Sequence, residues 1–124
     1  YGDLCGGLMP IGDLTKTQVF ALAGLYNVEK ETFPASLMSR PPSAELRPNQ
    51  KDEDQLPPYS QLDEAIVRLV EKCLPPKGKI DDWLLRALFR SEFKRWQAPP
   101  ILKVSEHGFG RGRRWPVAHQ ALEE

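Results

Sequence analysis

Proline determines where this chain of 124 residues can be helical. A proline lacks the backbone amide donor, and its ring clashes with the preceding turn of a helix. Six of the twelve prolines lie within residues 34–58, together with a run of charged residues. This composition predicts a long loop. Loops of this length in compact domains are usually functional lids or disordered, so we expect 34–58 to be a mobile lid.

The first part of the chain predicts one short strand and one helix. Residues 6–11 form an apolar run with glycine and proline, which favours a brief strand or an extended edge. Thr15 and Gln18 then have the spacing of a capping box, and apolar residues follow at helical spacing. We therefore expect a helix over 16–26.

Two further helices are predicted in the second half. The first has Ser60 and Asp63 as candidate caps, and charged residues lie opposite its apolar stripe. The next begins near Asp81 and Asp82 and runs as far as Trp96, and a pair of prolines ends each helix. The residues of the apolar stripe are Leu62, Ala65, Ile66, Leu69, Val70 and Cys73.

Charge and hydropathy exclude some classes of partner. Seventeen basic and seventeen acidic side chains cancel, so no whole-chain field attracts nucleic acid or anionic lipid. The sequence has no apolar run near 18 residues and no signal segment. We therefore expect a cytoplasmic protein with no membrane or nucleic-acid partner.

Cysteine and histidine give no metal or nucleophile pattern. Cys5 and Cys73 have no CxxC spacing, and Cys73 falls on the apolar stripe, so the expectation is a buried thiol in a reducing compartment. His107 and His119 lack neighbouring ligands at zinc spacing. We predict no metal site among these residues.

Candidate phosphate ligands occur near the first helix and in the loop. Residues 7–13 have the glycine spacing of a P-loop, but Asp13 stands where the lysine should be, so we reject that interpretation. Lys16 begins the first helix, where backbone amides and the helix dipole favour an anion. Ser43 lies in a loop motif with two arginines, which suit phosphate oxygens. A solvated lysine and a polar surface loop remain the alternatives.

The C-terminal part offers further cationic side chains. Lys94 and Arg95 are adjacent on a helix and project to different sides, so one can bind an anion while the other pairs with a carboxylate. Residues 101–124 predict an irregular tail, for which we favour docking within the chain or between subunits over nucleic-acid binding. The basic and aromatic residues of the tail are Phe109, Arg111, Arg113, Arg114 and Trp115.

Five motifs together resemble the synthetase domain of bacterial glutamine-dependent NAD synthetases. They occur in unbroken order across nearly the whole chain. The motifs are YGD at 1–3 with GG at 6–7, LTKTQVF at 14–20, RPPSAELRPNQKDEDQLPPY at 40–59, SEFKRWQAPP at 91–100 and GFGRGRRWP at 108–116.

The resemblance implies that the chain is the C-terminal portion of an ATP pyrophosphatase-type α/β domain, similar to the adenine nucleotide alpha hydrolases. On its own the portion would be mainly α, with three or four helices and one short strand. It also implies ATP and Mg²⁺ as co-substrate and cofactor, and a homodimer. In this family ATP adenylates the nicotinate carboxylate of deamido-NAD, and ammonia from an N-terminal glutaminase domain displaces AMP.

Site residues follow from the matching positions. By resemblance, Asp3 is the aspartate near the nicotinate and the incoming ammonia, and Lys16 contacts nucleotide phosphate. Ser43 is the hydroxyl residue on a loop that closes over ATP and pyrophosphate, and Lys94 reaches substrate phosphate. No metal ligand is assigned.

The sequence departs from the family pattern in two places. The glycine-rich SGGxDS loop is absent, so we expect it upstream of Tyr1 and expect this chain to be inactive alone. Gly112 and Trp115 replace the commoner residues of the tail motif. Two other classes of function stay open, which are a non-catalytic dimerisation or scaffolding module and an arginine-tail nucleic-acid binder.

Overall fold

A computed structural model describes residues 5–108 and 114–118. Its regular structure is helical, and among these residues the only β pairing is a single parallel bridge between Met9 and Ile101. The predicted strand over 6–11 is therefore wrong, because only one residue of that run pairs. The elements are α1 Lys16–Tyr26, α2 Ala35–Met38, a 3₁₀ turn Asp52–Asp54, α3 Tyr59–Ile66, a π-helical turn Val67–Glu71 and α4 Lys79–Arg95.

The hydrophobic core lies between α3 and α4. It is formed by residues of the apolar stripe predicted from Leu62 onward, together with apolar residues of α4. At its centre lies Leu69, which is only 1% exposed. Full burial of each such side chain stabilises the fold by about 1.5–3 kcal/mol. The buried members are Leu62, Ala65, Leu69 and Leu84, with Tyr59, Ile66, Ile80, Leu85 and Leu88 packed against them.

A buried carboxylate joins the π-helical turn that follows α3 to the start of α4. Asp81 is 6% exposed and accepts a hydrogen bond from the Lys77 amide at 2.7 Å. Arg68 in the π-helical turn forms an ion pair with the same carboxylate, with an Nε–Oδ2 distance of 3.0 Å. The two helices are therefore joined by charge as well as by apolar packing.

Helix α1 has the predicted bounds, and its capping box is present. The Thr15 amide donates to the Gln18 side chain at 2.8 Å. Unlike the helices of the core, α1 has no buried residue, although it is apolar around most of its circumference. Leu25 and Tyr26 are 70% and 64% exposed. A helix that is apolar all round is usually covered by protein on more than one side.

Cys73 corrects the prediction of a buried thiol. The helix does not continue along the stripe, because the π-helical turn Val67–Glu71 changes the register of its last residues. Cys73 then has φ of 50° and is exposed, as is Cys5. The apolar stripe predicted from the sequence therefore ends before Cys73.

The predicted caps of α3 and α4 are also wrong. The N-cap of α3 is Pro58, and Asp63 lies inside that helix. The N-cap of α4 is Gly78, whose φ of 88° is a conformation that glycine adopts without strain. Asp81 and Asp82 instead lie in the first turn of α4, where acidic side chains interact favourably with the helix dipole.

The proline-rich segment 34–58 is a long connection, but it is not without internal structure. It contains α2 and the 3₁₀ turn, and the Asp52 amide donates to the carbonyl of Pro42 at 2.9 Å. Glu45 and Asn49 adopt positive φ values of 54° and 57°. The mobility of this segment remains a prediction.

The described part of the tail returns to the N-terminal segment. Both the amide of Val104 and the amide and hydroxyl of Ser105 donate to the Asp13 carboxylate, at 2.7–2.8 Å. Asp13, which stands where a P-loop would have its lysine, thus anchors the tail. No described helix is long and apolar enough to cross a membrane.

Candidate functional site

The structure brings two of the predicted phosphate ligands to one cavity. Lys16 at the start of α1 and Ser43 in the loop both line a cavity of about 420 Å³. Arg40 and Glu45 line it as well, so two cations, one carboxylate and a hydroxyl meet there. Apolar side chains of α1, α2 and the loop between them complete its walls, including Phe20 and Phe33. Such a cavity suits a ligand with an anionic part and an apolar or aromatic part.

Lys16 is held between aromatic rings. Its Nζ lies 5.7 Å from the ring centroid of Phe20 and 5.8 Å from that of Tyr59. Both distances are within cation–π range, which orients the ammonium group without neutralising it. The side chain is partly buried, so a fully solvated lysine does not describe its environment.

The amides at the start of α1 are not all available for an anion beside Lys16. The amide of Thr17 donates to the carboxylate of Asp63 on α3 at 2.7 Å. Because Asp63 is only 6% exposed, a negative charge of the protein itself already occupies that part of the helix terminus. The features of Lys16 that favour an anion are therefore its ammonium group and its cavity.

Ser43 lies in a tight turn of the loop. Its hydroxyl oxygen accepts a hydrogen bond from the amide of Glu45 at 3.0 Å. Glu45 in turn forms an ion pair with Arg40, and both side chains are more than 60% exposed. Exposed ion pairs contribute about 0–1 kcal/mol, so Arg40 can exchange Glu45 for another anion at little cost.

Tyr59 connects the end of the loop to the site. Its hydroxyl donates to the Asp52 carboxylate at 2.6 Å, and its ring faces Lys16. Burial raises the pKa of the Tyr59 phenol, and the hydrogen bond to Asp52 raises it further. The phenol therefore stays protonated at physiological pH and acts here as a donor.

Lys94 lies apart from this cavity, near the end of α4. It is exposed and is not among the lining residues of the cavity that holds Lys16 and Ser43. Its neighbour Arg95 is 7% exposed and donates to Glu92 at 3.1 Å. Burial lowers the pKa of the Arg95 guanidinium, and the charge of Glu92 opposes that shift. One of the two adjacent cations thus pairs with a carboxylate, as the sequence predicted.

The tail docks on α4. Trp115 is 7% exposed and stacks on Phe89 with ring centroids 5.5 Å apart. The Arg114 guanidinium lies 4.7 Å from the ring centroid of Trp96, and its Nη1 is 3.5 Å from Glu92. These contacts support the prediction that the tail docks within the chain.

Several predicted residues fall outside the described part of the chain. Asp3, the predicted catalytic residue, is one of them, as is His119. Phe109, Arg111 and Arg113 of the tail motif are others. Within residues 5–108 and 114–118 no cluster of three His, Cys, Asp or Glu side chains could hold a metal ion.

The sequence did not reveal the roles of three residues that contact or adjoin the predicted ligands and their helices. Tyr59 was identified only as the last residue of the motif at 40–59, Asp63 only as a candidate helix cap, and Glu92 was given no role. Of the three, only Glu92 is an acidic residue close in the sequence to a predicted ligand, since it lies two positions before Lys94 in the same motif. The partners of Tyr59 and Asp63 across α1 are visible only in three dimensions.

Comparison with protein families places the chain in a known group of enzymes. The model of the NAD synthase family matches residues 1–96. The chain therefore belongs to the NAD synthase family, which confirms the family predicted from the motifs.

Individual relatives agree with this assignment. The chain is 47% identical to the glutamine-dependent NAD(+) synthetase of Synechocystis sp., over 95% of the chain and 23% of that protein. Identity to the enzymes of the same name from Xanthomonas campestris and Aquifex aeolicus is 44% and 40%, over 96% and 97% of the chain. The chain spans about a quarter of the length of these relatives, 23% in each case.

A solved structure also matches in part. It is the glutamine-dependent NAD+ synthetase of Acinetobacter baumannii in complex with ADP, at 26% identity and a TM-score of 0.45. The match covers 85% of this chain and 19% of that one.

Proposed function

We propose that this chain is the C-terminal part of the synthetase domain of a glutamine-dependent NAD synthetase. The full-length enzyme would use ATP and Mg²⁺ to amidate deamido-NAD, with ammonia taken from glutamine or used directly. The complete domain would be of the ATP pyrophosphatase-type α/β class, in a cytoplasmic homodimer. The observation that carries the proposal is the meeting of Lys16, Arg40 and Ser43 at one cavity in a member of this family.

The proposed reaction has two steps. A nicotinate carboxylate oxygen attacks the α-phosphorus of ATP, and pyrophosphate leaves with its bonding electrons. Ammonia then attacks the carboxyl carbon of the acyl adenylate, a C–N bond forms, AMP leaves as the C–O bond breaks, and the nitrogen releases one proton to water. Negative charge builds on phosphate oxygens in both steps, and preorganised cations near those oxygens lower the barrier.

In this scheme Lys16 binds nucleotide phosphate from the start of α1. Ser43 and Arg40 approach the same ligand from the loop, where the Arg40–Glu45 ion pair would open as the loop closes. Lys94 binds a phosphate of deamido-NAD, and Asp3 acts near the nicotinate and the ammonia. We assign Mg²⁺ to no residue of this chain, because the described residues offer no cluster of ligands.

The test compares this chain with the full-length synthetase that contains it. NAD formation is measured from deamido-NAD, ATP, Mg²⁺ and either glutamine or ammonia. We expect turnover only by the full-length protein, and a loss of about ten- to a hundredfold in kcat/KM for Lys16→Ala and for Lys94→Ala. Removing Lys16 would raise the barrier at the reacting phosphate, whereas removing Lys94 would weaken the binding of deamido-NAD. Lys72→Ala, which alters an exposed lysine just after the π-helical turn, is the control.

A second function is favoured by one specific observation. Helix α1 has no buried residue, and Leu25, Tyr26 and Val28 are 64–77% exposed. An apolar surface of this kind suits a non-catalytic dimerisation or scaffolding module. Absence of turnover with either nitrogen donor, together with a dimer in analytical ultracentrifugation that Leu25→Glu dissociates, would favour this function over the synthetase.

A further inference from the structure

Glu92 is the least exposed charged residue in the described part of the chain. Its exposed fraction is 0%, although it lies on α4 next to the exposed Lys94. A carboxylate in such a place is destabilising unless cations and hydrogen bonds compensate for the lost water. The compensation here comes from two guanidinium groups, one on the helix and one on the tail.

The two carboxylate oxygens of Glu92 face different partners. Oε2 accepts a hydrogen bond from Nη1 of Arg95 at 3.1 Å. Oε1 lies 3.5 Å from Nη1 of Arg114, a distance that corresponds to an ion pair without a short hydrogen bond. Glu92 therefore joins the last turn of α4 to the tail.

The contacts of the tail lie on one face of α4. At 3.6 residues per turn, Phe89, Glu92 and Trp96 lie within about 60° of one another around the helix axis. Trp115 stacks on Phe89, and the Arg114 guanidinium lies over the ring of Trp96. Lys94 projects about 160° away from Glu92 on the same helix. The docked tail thus covers one face and leaves the face that carries Lys94 accessible.

A second carboxylate holds the segment that follows α4. The amides of Val104 and Ser105 donate to Asp13, only three positions before Lys16. The chain that leaves α4 is therefore anchored twice, to the start of the α1 region by Asp13 and to α4 itself by Glu92. The end of α4 has little freedom to rotate or fray.

We propose that Glu92 is a positioning residue that acts through Lys94. By binding Arg95 and Arg114 together, Glu92 fixes the last turn of α4 against the tail and so determines where the Lys94 ammonium group stands. The inference depends on the proposed role of Lys94 in binding substrate phosphate. Glu92 itself contacts no substrate in this scheme.

The test is a double-mutant cycle in the full-length synthetase. Glu92→Gln keeps the shape of the side chain and removes its charge. We expect it to lower kcat/KM for deamido-NAD by about tenfold or more, since small displacements of a binding group have effects of this size. The loss should appear mainly in KM, because a contact to a non-reacting phosphate is equally strong in the ground and transition states.

Coupling to Lys94 separates positioning from a merely structural role. In a Lys94→Ala background, Glu92→Gln should change kcat/KM by less than about twofold, because the group that it positions is gone. An equal loss in both backgrounds would show that Glu92 only stabilises the fold. Glu106→Gln, an identical change at an exposed tail residue, is the control and should leave the kinetic constants unchanged.

The possible failures are distinguishable. If Lys94→Ala leaves kcat/KM unchanged, the proposed substrate contact is wrong, and the inference falls with it. If Lys94→Ala lowers kcat/KM and Glu92→Gln does not, the inference alone is overturned. Should Glu92→Gln not accumulate as folded protein, Arg114→Gln replaces it in the cycle, because that change removes the tail contact and keeps the Glu92–Arg95 pair.

Discussion

The α3–α4 pair and the region formed by α1 and the loop 34–58 are built differently. The pair buries a continuous apolar core and closes it with the Arg68–Asp81 ion pair. In the α1 and loop region, α1, α2 and the 3₁₀ turn have no buried residue, and the Arg40–Glu45 ion pair is exposed. Yet the cavity with Lys16 and Ser43 belongs to this second region.

The difference indicates how stability and binding are divided in this part of the protein. Segments with few buried contacts open at low free energy, and ligand-binding loops are commonly of this kind. The contacts that connect the regions include two side-chain hydrogen bonds, one from the Thr17 amide of α1 to the Asp63 carboxylate and one from the Tyr59 hydroxyl to Asp52 of the loop. Substitutions in the α3–α4 core should therefore lower the free energy of unfolding of that core. Substitutions at these two hydrogen bonds should instead make local opening of α1 and the loop more frequent.

The largest effect is expected from Leu69→Ala in the core. Leu69 is 1% exposed, and truncating a buried leucine costs about 2–5 kcal/mol in the free energy of unfolding. The measurement is urea denaturation of the full-length protein, followed by hydrogen exchange in α3 and α4. Leu46→Ala is the control, since Leu46 is 81% exposed and should change stability by less than about 0.5 kcal/mol. Equal effects of the two changes would contradict the contrast between the regions.

A smaller effect is expected from Asp63→Asn at the first connection. The amide group can still accept the hydrogen bond of Thr17, but its neutral oxygen is a weaker acceptor, and we expect a loss of about 1–2 kcal/mol. Hydrogen exchange at the start of α1 should accelerate more than exchange in α4. The matched control is Glu64→Gln, the same loss of charge on the exposed side of α3. Uniform acceleration across all helices would mean that Asp63 supports the core and not the connection.

The smallest effect is expected from Tyr59→Phe at the second connection. The change removes one hydrogen bond to Asp52 and keeps the ring, so the expected loss is about 0.5–1.5 kcal/mol. Limited proteolysis within 34–58 should become faster, with Tyr26→Phe as the control because Tyr26 is 64% exposed. Unchanged cleavage in the Tyr59 variant would show that the loop is held by other contacts.

The same residue predicts a pH dependence. The folded state raises the pKa of Tyr59 above its ordinary value of 10.0, so the folded protein keeps a proton that the unfolded chain releases. The contribution of this group to stability is complete below pH 10 and decreases as the pH rises beyond it. Tyr59→Phe should reduce the decline in stability above pH 10 relative to wild type. An identical decline in both proteins would contradict the burial of the phenol.

The sequence predicted the elements whose signals are local. The bounds of α1 were correct because a capping box and an apolar pattern lie within a few residues of each other. The four-residue helix α2 was missed because it is too short to show a period. Cys73 was misplaced because nothing in the pattern indicates the π-helical turn before it.

The site could be predicted only in part, for a related reason. Motif resemblance selected Lys16 and Ser43, which the fold brings to the same cavity from positions 27 residues apart. It could not show that Asp63, 46 residues from Thr17, already occupies an amide of α1. Contacts between distant residues depend on the packing of helices, and a single sequence contains no direct record of them.

The attachment of the tail to Asp13 has a consequence for biosynthesis. That carboxylate accepts hydrogen bonds from Val104 and Ser105, which lie 91 and 92 positions after Asp13 in the sequence. At roughly 5–20 residues per second, translation delivers these partners about 5–20 s after Asp13 has been made. During that interval α3 and α4 can pair locally on the emerging chain, whereas the start of α1 must wait. We therefore expect the ribosome-bound nascent chain to acquire its helical core first and to close the α1 region last.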